Sequence, residues 1–325
     1  MDFLRYADSI GLEVKWIELG NEIFLPETDF VNRYPEPKDY GEEMVIWVDS
    51  IRQVFPDANI SIIGGSSNPL TPSGGEMPER VKKWNAEVFP LLPADVDVTF
   101  HRYYWHGNSS SSPINVASTF ARAFKLWEEE KSYTIDELPP NTSAWWTEYN
   151  LTDALNGNHQ VATSWLHGLF TGILHLKKLE VPENLMILTH QIAGKEPFGA
   201  LDSYFINGDT LTNNITPMGY AISLIHKAGI NTGTATQINF TTNPIQTVDD
   251  ENYPSLLAWR FEGSASDKLI LLNISDQEFE VDLSPVYSMF FYNQATSSDL
   301  TALDPTSENI IFTSGVTQNT LVINP

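Results

Sequence analysis

Two glutamates in this chain end apolar, strand-like runs, and both stand where a carboxyl group could act on a substrate. The run from Val14 to Leu19 closes in Gly20, Asn21 and Glu22. Well over a hundred residues later, Ser143 to Thr147 is again apolar and aromatic, and it delivers Glu148. Two carboxyl groups that share a pocket can divide labour, one donating a proton while the other stays ionised and attacks, provided that their surroundings differ. Residues so far apart in sequence meet most simply in a barrel of parallel strands, where the C-terminal strand ends converge on one mouth.

The elements between them support such a framework. Met1 to Gly11 reads as a helix with Phe3, Leu4, Ala7 and Ile10 on one side, ended by Gly11. After Glu22 comes a loop punctuated by Pro26, Pro35 and Pro37. A helix then runs from about Tyr40 to Val54, with Met44, Val45, Trp47, Val48 and Ile51 as its apolar side. Ile60 to Ser67 is the next strand, and Glu79 to Phe89 the next helix. Asp95 to His106 alternates with period two: Asp97, Thr99, His101 and Tyr103 share one face, while Val96, Val98 and Phe100 share the other. Val116 to Glu130 is helical and the Glu148 strand follows. His159 to Leu179 is a long helix, Leu185 to Gln191 a fifth strand, and Pro217 to Ala228 a helix with proline in its first turn.

The strand tips at Glu22, Ser66, His101, Glu148 and His190 recur at intervals of roughly 40 residues, the period of a βα unit in a parallel sheet. From about Thr232 the pattern changes to short β-rich runs separated by turn residues, which predicts a β-sandwich. The expected organisation is therefore α/β: a partial (β/α)8 TIM-type barrel of about five units over residues 1–230, then a β-sandwich over residues 231–325.

Composition excludes some partners. Lys+Arg 18 against Asp+Glu 42 gives a formal charge of −24, which repels phosphate backbones and anionic lipid, so neither nucleic acid nor a membrane surface is expected to bind. No apolar run approaches the roughly 20 residues of a membrane span. The N-terminus does not read as a signal peptide, which leaves localisation open. There is no cysteine, hence neither disulfide nor thiolate chemistry.

The pair Glu22 and Glu148 suits glycoside hydrolysis, in which one carboxyl protonates the leaving oxygen and the other attacks the anomeric carbon. Gly20, Asn21 and Glu22 after a strand, with Thr147, Glu148 and Tyr149 on a later one, resemble the clan A retaining glycoside hydrolases. The likeness is to their arabinofuranosidase, xylosidase, glucuronidase and agarase-like branches, which join a (β/α)8 barrel to a β-sandwich. That resemblance implies Glu22 as acid/base at the end of strand 4, Asn21 as the partner of the sugar 2-hydroxyl, and Glu148 as nucleophile on strand 7. It also places His101 and Tyr103 on the strand 6 equivalent, reaching toward the nucleophile. It leaves strands 1 to 3 unaccounted for, and five strands cannot close an eight-stranded barrel. Self-association, or a further chain or segment that completes the barrel, is therefore expected. Extracellular or periplasmic residence is the expectation if the sequence belongs to a longer precursor.

The remaining candidates are substrate contacts. Trp146 shares the parity of Glu148 and would face the pocket, while His190 and Gln191 stand at the fifth tip. Glu18, four residues before Glu22, is expected to be an inward carboxylate in need of a cation from the absent strands. His159, His167 and His175 recur every eight residues on one helix without acidic or sulfur co-ligands, so no metal is expected there. No cofactor is expected either. Two function classes stand: a retaining glycosidase acting on a poly- or oligosaccharide, impaired as an isolated chain, or a non-catalytic carbohydrate-binding or scaffold protein derived from one.

Overall fold

The computed structural model describes residues 1–71, 75–105, 113–152, 161, 163–189, 193–194, 199–206, 210–285, 289–303 and 307–324. Its elements run α1 (Asp2–Ser9), β1 (Trp16–Leu19), α2 (Thr28–Arg33), α3 (Pro37–Arg52), β2 (Asn59–Ile63), α4 (Glu79–Val88), β3 (Asp97–Trp105), α5 (Val116–Ser132), β4 (Ala144–Thr152), α6 (Trp165–Lys178) and β5 (Asn184–Ile187). Then come β6 (Ala193–Gly194), β7 (Leu201–Ile206), β8 (Thr210–Ile215) and α7 (Pro217–Gly229). The last part holds β9 (Thr232–Gln237), β10 (Ile245–Val248), β11 (Glu251–Pro254), β12 (Leu256–Gly263), β13 (Lys268–Asn273), β14 (Phe279–Asp282), β15 (Phe290–Ser297), β16 (Ile310–Thr317) and β17 (Thr320–Ile323).

Strands β1 to β5 form one sheet in sequence order, joined by helical crossovers, and the pairings β1 with β2, β2 with β3 and β4 with β5 are parallel. This is a partial (β/α) barrel. After α7 the strands pair antiparallel: β13, β12 and β9 form one sheet, while β14 with β17 and β15 with β16 form two-stranded ones. Leu256, Val281, Leu283 and Ile323 make a buried cluster, onto which Leu269, Leu271 and Phe279 pack, so the apolar face of one sheet covers that of another. The chain forms two compact units, each built from several stretches: residues 1–103, 127–149 and 181–189, and residues 104–126, 150–180 and 190–325.

Within the first unit the helices fasten the strand tips. Tyr40 on α3 donates its hydroxyl to the Leu19 carbonyl at 2.6 Å and accepts from the Ile63 amide at 2.9 Å, tying the end of β1 to that of β2. Trp84 on α4 donates to the Ile63 carbonyl at 2.8 Å. Arg80, one turn earlier, donates to the carbonyls of Ile23, Tyr34 and Pro35 while its guanidinium lies 5.1 Å from the Trp84 ring. The segment after Glu22 is thus held by backbone contacts to one arginine. It also contains the short helix α2, where only a proline-punctuated loop was expected. α1 forms as expected, but Ala7 is its only buried residue; Phe3 is 76% and Ile10 60% exposed.

Candidate active site

β1 ends at Leu19, and the chain then turns sharply. Gly20 has φ +114°, where a Cβ would meet Ile23 at 3.0 Å and Ile63 at 3.4 Å, so the turn requires glycine. Glu22 follows with φ +51°, a left-handed conformation that costs a non-glycine residue on the order of 1 kcal/mol. The two turns redirect the chain so that the Glu22 carboxylate faces His101 on β3, with Oε1 3.6 Å from Nδ1. Asn21 beside it is exposed.

Strand β3 keeps the alternation expected for it. Asp97, Thr99, His101 and Tyr103 each meet a polar partner: Asp97 accepts from the Trp145 indole at 2.9 Å, Thr99 shares a 2.6 Å hydrogen bond with Ser61, and Tyr103 donates to Glu148 Oε2 at 2.8 Å. His101 Nε2 lies 3.2 Å from Glu18 Oε1 and 3.0 Å from Thr147 Oγ1, while Nδ1 lies 3.5 Å from Glu148 Oε2. One imidazole therefore touches three carboxylates. Its side chain is 2% exposed, against 23% for Glu18, 27% for Glu22 and 21% for Glu148. Burial alone would lower the His101 pKa. The carboxylates of Glu18, Glu22 and Glu148 outweigh that and raise it to about 9, so His101 is a cation at neutral pH. Burial, with the adjacent Glu148 charge, pushes Tyr103 up, so its hydroxyl remains a donor.

Glu22, His101 and Glu148 each offer an atom within 4.8 Å of the others, a spacing that a small cation could use. The protonated His101 supplies positive charge at this point, and a metal would have to displace its proton to bind there.

Several sequence-based expectations need correction. Trp146 does not share the Glu148 face. It is fully buried, with its ring 5.3 Å from Phe100 and 5.7 Å from Trp127 of α5, and its indole donates to Asn184 at 2.9 Å. Trp145 is the inward residue, edge-on to Trp16 at 5.2 Å, and Thr147 follows it. Glu148 faces the site as well: it and Thr147 both approach His101, although β4 continues past them to Thr152. Glu18 finds its cation within this chain, in His101, and not in absent strands. His190, Gln191 and His159 lie outside the described residues. His167 is buried with Nε2 2.6 Å from Asn150 Oδ1, and His175 is buried 5.2 Å from His226. Thr147 was missed as a functional contact, although its place beside Glu148 was a signal.

No protein-family model and no curated protein matches the sequence. Solved structures do resemble the fold. The α-L-arabinofuranosidase of Thermotoga maritima, solved with arabinose, is 13% identical over 97% of this chain and 65% of its own, with a TM-score of 0.67. A family 51 α-L-arabinofuranosidase from Bifidobacterium longum is 10% identical over 100% of this chain and 78% of its own, with a TM-score of 0.68. A 4-O-α-L-rhamnosyl-β-D-glucuronidase from Fusarium oxysporum is 14% identical over 99% and 71%, with a TM-score of 0.63. At these identities the likeness is one of fold alone, a (β/α) barrel followed by antiparallel strands as in these glycosidases. The chain spans less than two thirds of the length of the Thermotoga enzyme.

Proposed function

We propose that this chain is the core of a retaining glycoside hydrolase that cleaves O-glycosidic bonds of a poly- or oligosaccharide, with Glu148 as nucleophile and Glu22 as acid/base. The observation that carries the reading is the approach of a Glu22 and a Glu148 oxygen to within 4.8 Å. Retaining pairs stand about 5–5.5 Å apart, whereas inverting pairs leave room for a water at roughly 6.5–9.5 Å. In the first step Glu148 attacks the anomeric carbon as the Glu22 proton passes to the departing oxygen, giving an ester to Glu148 and a free alcohol. In the second, Glu22 takes a proton from water as that water attacks the same carbon, which releases the sugar and restores both side chains. Tyr103 and His101 steady the Glu148 charge, and Asn21 is assigned to the sugar 2-hydroxyl. His190 and Gln191 stay assigned to substrate contact.

The sheet ends favour a companion reading about partners. Among the described residues β1 and β5 each pair on one side only, and Trp16, Leu185 and Leu188 are 46%, 51% and 45% exposed. Apolar strand edges in water invite association. We propose that self-association, or a further βα segment, covers this gap of about three of eight strands, and that the uncovered chain excludes water poorly and turns over slowly. Light scattering together with hydrolysis of p-nitrophenyl α-L-arabinofuranoside and β-D-glucuronide tests both points. Association, or slow turnover that a covering segment accelerates, agrees with the proposal. A monodisperse monomer with enzyme-like turnover removes the need for cover. A chain that binds oligosaccharide without cleaving it, even when covered, would be the carbohydrate-binding or scaffold protein.

A further inference from the structure

Glu18 has no place in the two-carboxylate scheme, yet its carboxylate stands against the ring of His101. Nε2 lies 3.2 Å from Glu18 Oε1, so a hydrogen on that nitrogen is favoured. Nδ1, on the opposite side of the ring, is buried with no hydrogen-bond partner among the described residues and lies 3.6 Å from Glu22 Oε1 and 3.5 Å from Glu148 Oε2. A neutral imidazole has one N–H. With that hydrogen held by Glu18, a neutral ring would aim a bare lone pair at the Glu148 carboxylate, and at Glu22 as well once Glu22 has given up its proton, so the doubly protonated ring is the form that suits both sides through the reaction. The remaining contact at Nε2, Thr147 Oγ1 at 3.0 Å, is a hydroxyl that can accept a share of the same hydrogen. From β3 itself, Tyr103 reaches this cluster through Glu148.

We propose that Glu18 is a positioning residue of this site: it holds His101 doubly protonated, with Nδ1–H directed into the space between Glu22 and Glu148, and so sets the pH range over which that pair works. The proposal rests on the reading of Glu22 and Glu148 as the reacting pair. Its use lies in the first step, when Glu22 gives up its proton. Glu22 then becomes charged close to His101 Nδ1, and the unspent N–H is in place to close on it. The carboxylate thereby gains a hydrogen bond at the moment its charge appears.

The test uses the full chain in wild-type, Glu18→Gln and Glu18→Asp forms, with nitrogen-labelled histidine followed by NMR and His101 assigned by its loss in His101→Gln. Wild type should keep both His101 nitrogens protonated to at least pH 8. Glu18→Gln, whose amide can also donate to Nε2, should titrate more than about one pH unit lower, and Glu18→Asp should recover part of that shift. In parallel, labelling of Glu148 by arabinofuranose- and glucuronic acid-configured aziridine probes should lose its alkaline limb earlier in Glu18→Gln, in step with the NMR midpoint. A His101 that is neutral at pH 7 in wild type overturns the proposal even if the variants do not fold. So does an unmoved midpoint in a folded Glu18→Gln chain, or a moved midpoint with an unmoved labelling profile; the last leaves the glycosidase reading intact. A moved midpoint with no labelling of any form would instead remove the glycosidase reading and keep Glu18 as the residue that fixes the His101 protons.

Discussion

His101 on β3 and His175 on α6 are both buried, yet their surroundings drive them in opposite directions. Burial lowers each. Around His101 the carboxylates of Glu18, Glu22 and Glu148 reverse the effect and raise its pKa to about 9. Around His175 the neighbours are His226 and Lys178, which add to burial and lower it to about 3. One imidazole is a cation in a nest of acids and the other a neutral ring between helices. Burial is common to both, so it does not mark a site. What marks the site is a convergence of like charges from β1, the turn after it and β4 upon one counter-charge, an arrangement that a fold seldom maintains without a use for it.

The largest effect that would separate the two regions is on stability. His101→Gln removes the cation from among three carboxylates and should cost about 3 kcal/mol near pH 7, as loss of one partner from a buried ion cluster does. His175→Phe, which replaces a neutral ring by an apolar one, should cost no more than about half of that. Urea unfolding of both variants measures the contrast, and equal losses would break it.

Next comes the pH dependence, which should have opposite signs in the two places. A raised folded pKa means that the His101 contribution is fully present below about pH 6.5 and is lost as pH rises through about 9, on the order of 3 kcal/mol in all. The lowered pKa of His175 means that its contribution is present above about pH 6.5 and is lost as pH falls toward about 3. Melting temperatures across that range should therefore fall at both ends. His101→Gln should flatten the alkaline side alone and His175→Phe the acid side alone; a common loss of both limbs would show that neither histidine is responsible.

The smallest effect concerns Trp146. Trp146→Phe keeps most of the ring packing against Phe100 and Trp127 and loses one hydrogen bond to Asn184, for about 1 kcal/mol. Probe labelling should be unchanged within about twofold, because the side chain faces the helix layer. A loss of labelling larger than the loss of stability would return Trp146 to the pocket.

These cases also show what the sequence could and could not reveal. The βα period, the short β-rich runs after α7 and the alternation along β3 are local patterns, and they were legible; the antiparallel pair β7 and β8 ahead of α7 was not expected. Glu22 and Glu148 drew notice because each follows an apolar run, although β4 itself continues past Glu148 to Thr152. The side on which Trp146 lies was not legible, since counting back from Glu148 assumes strict alternation, and Thr147 and Glu148 both face His101. The pairing of Glu18 with His101 was beyond reach for a different reason. Parity puts both inside, but their contact depends on β1 and β3 flanking β2 in this register. Helix α2 was hidden by the prolines on either side of it, which signal a loop.

Glu148 is proposed to attack and Glu22 to move the proton. The most direct measurement is to treat the chain, with and without a covering segment, with the aziridine probes, digest it, and locate the modified residue by mass spectrometry. An ester on Glu148 is expected, abolished in Glu148→Gln and slowed at least about tenfold in Glu22→Gln. An ester on Glu22, or labelling that survives Glu148→Gln, would contradict it.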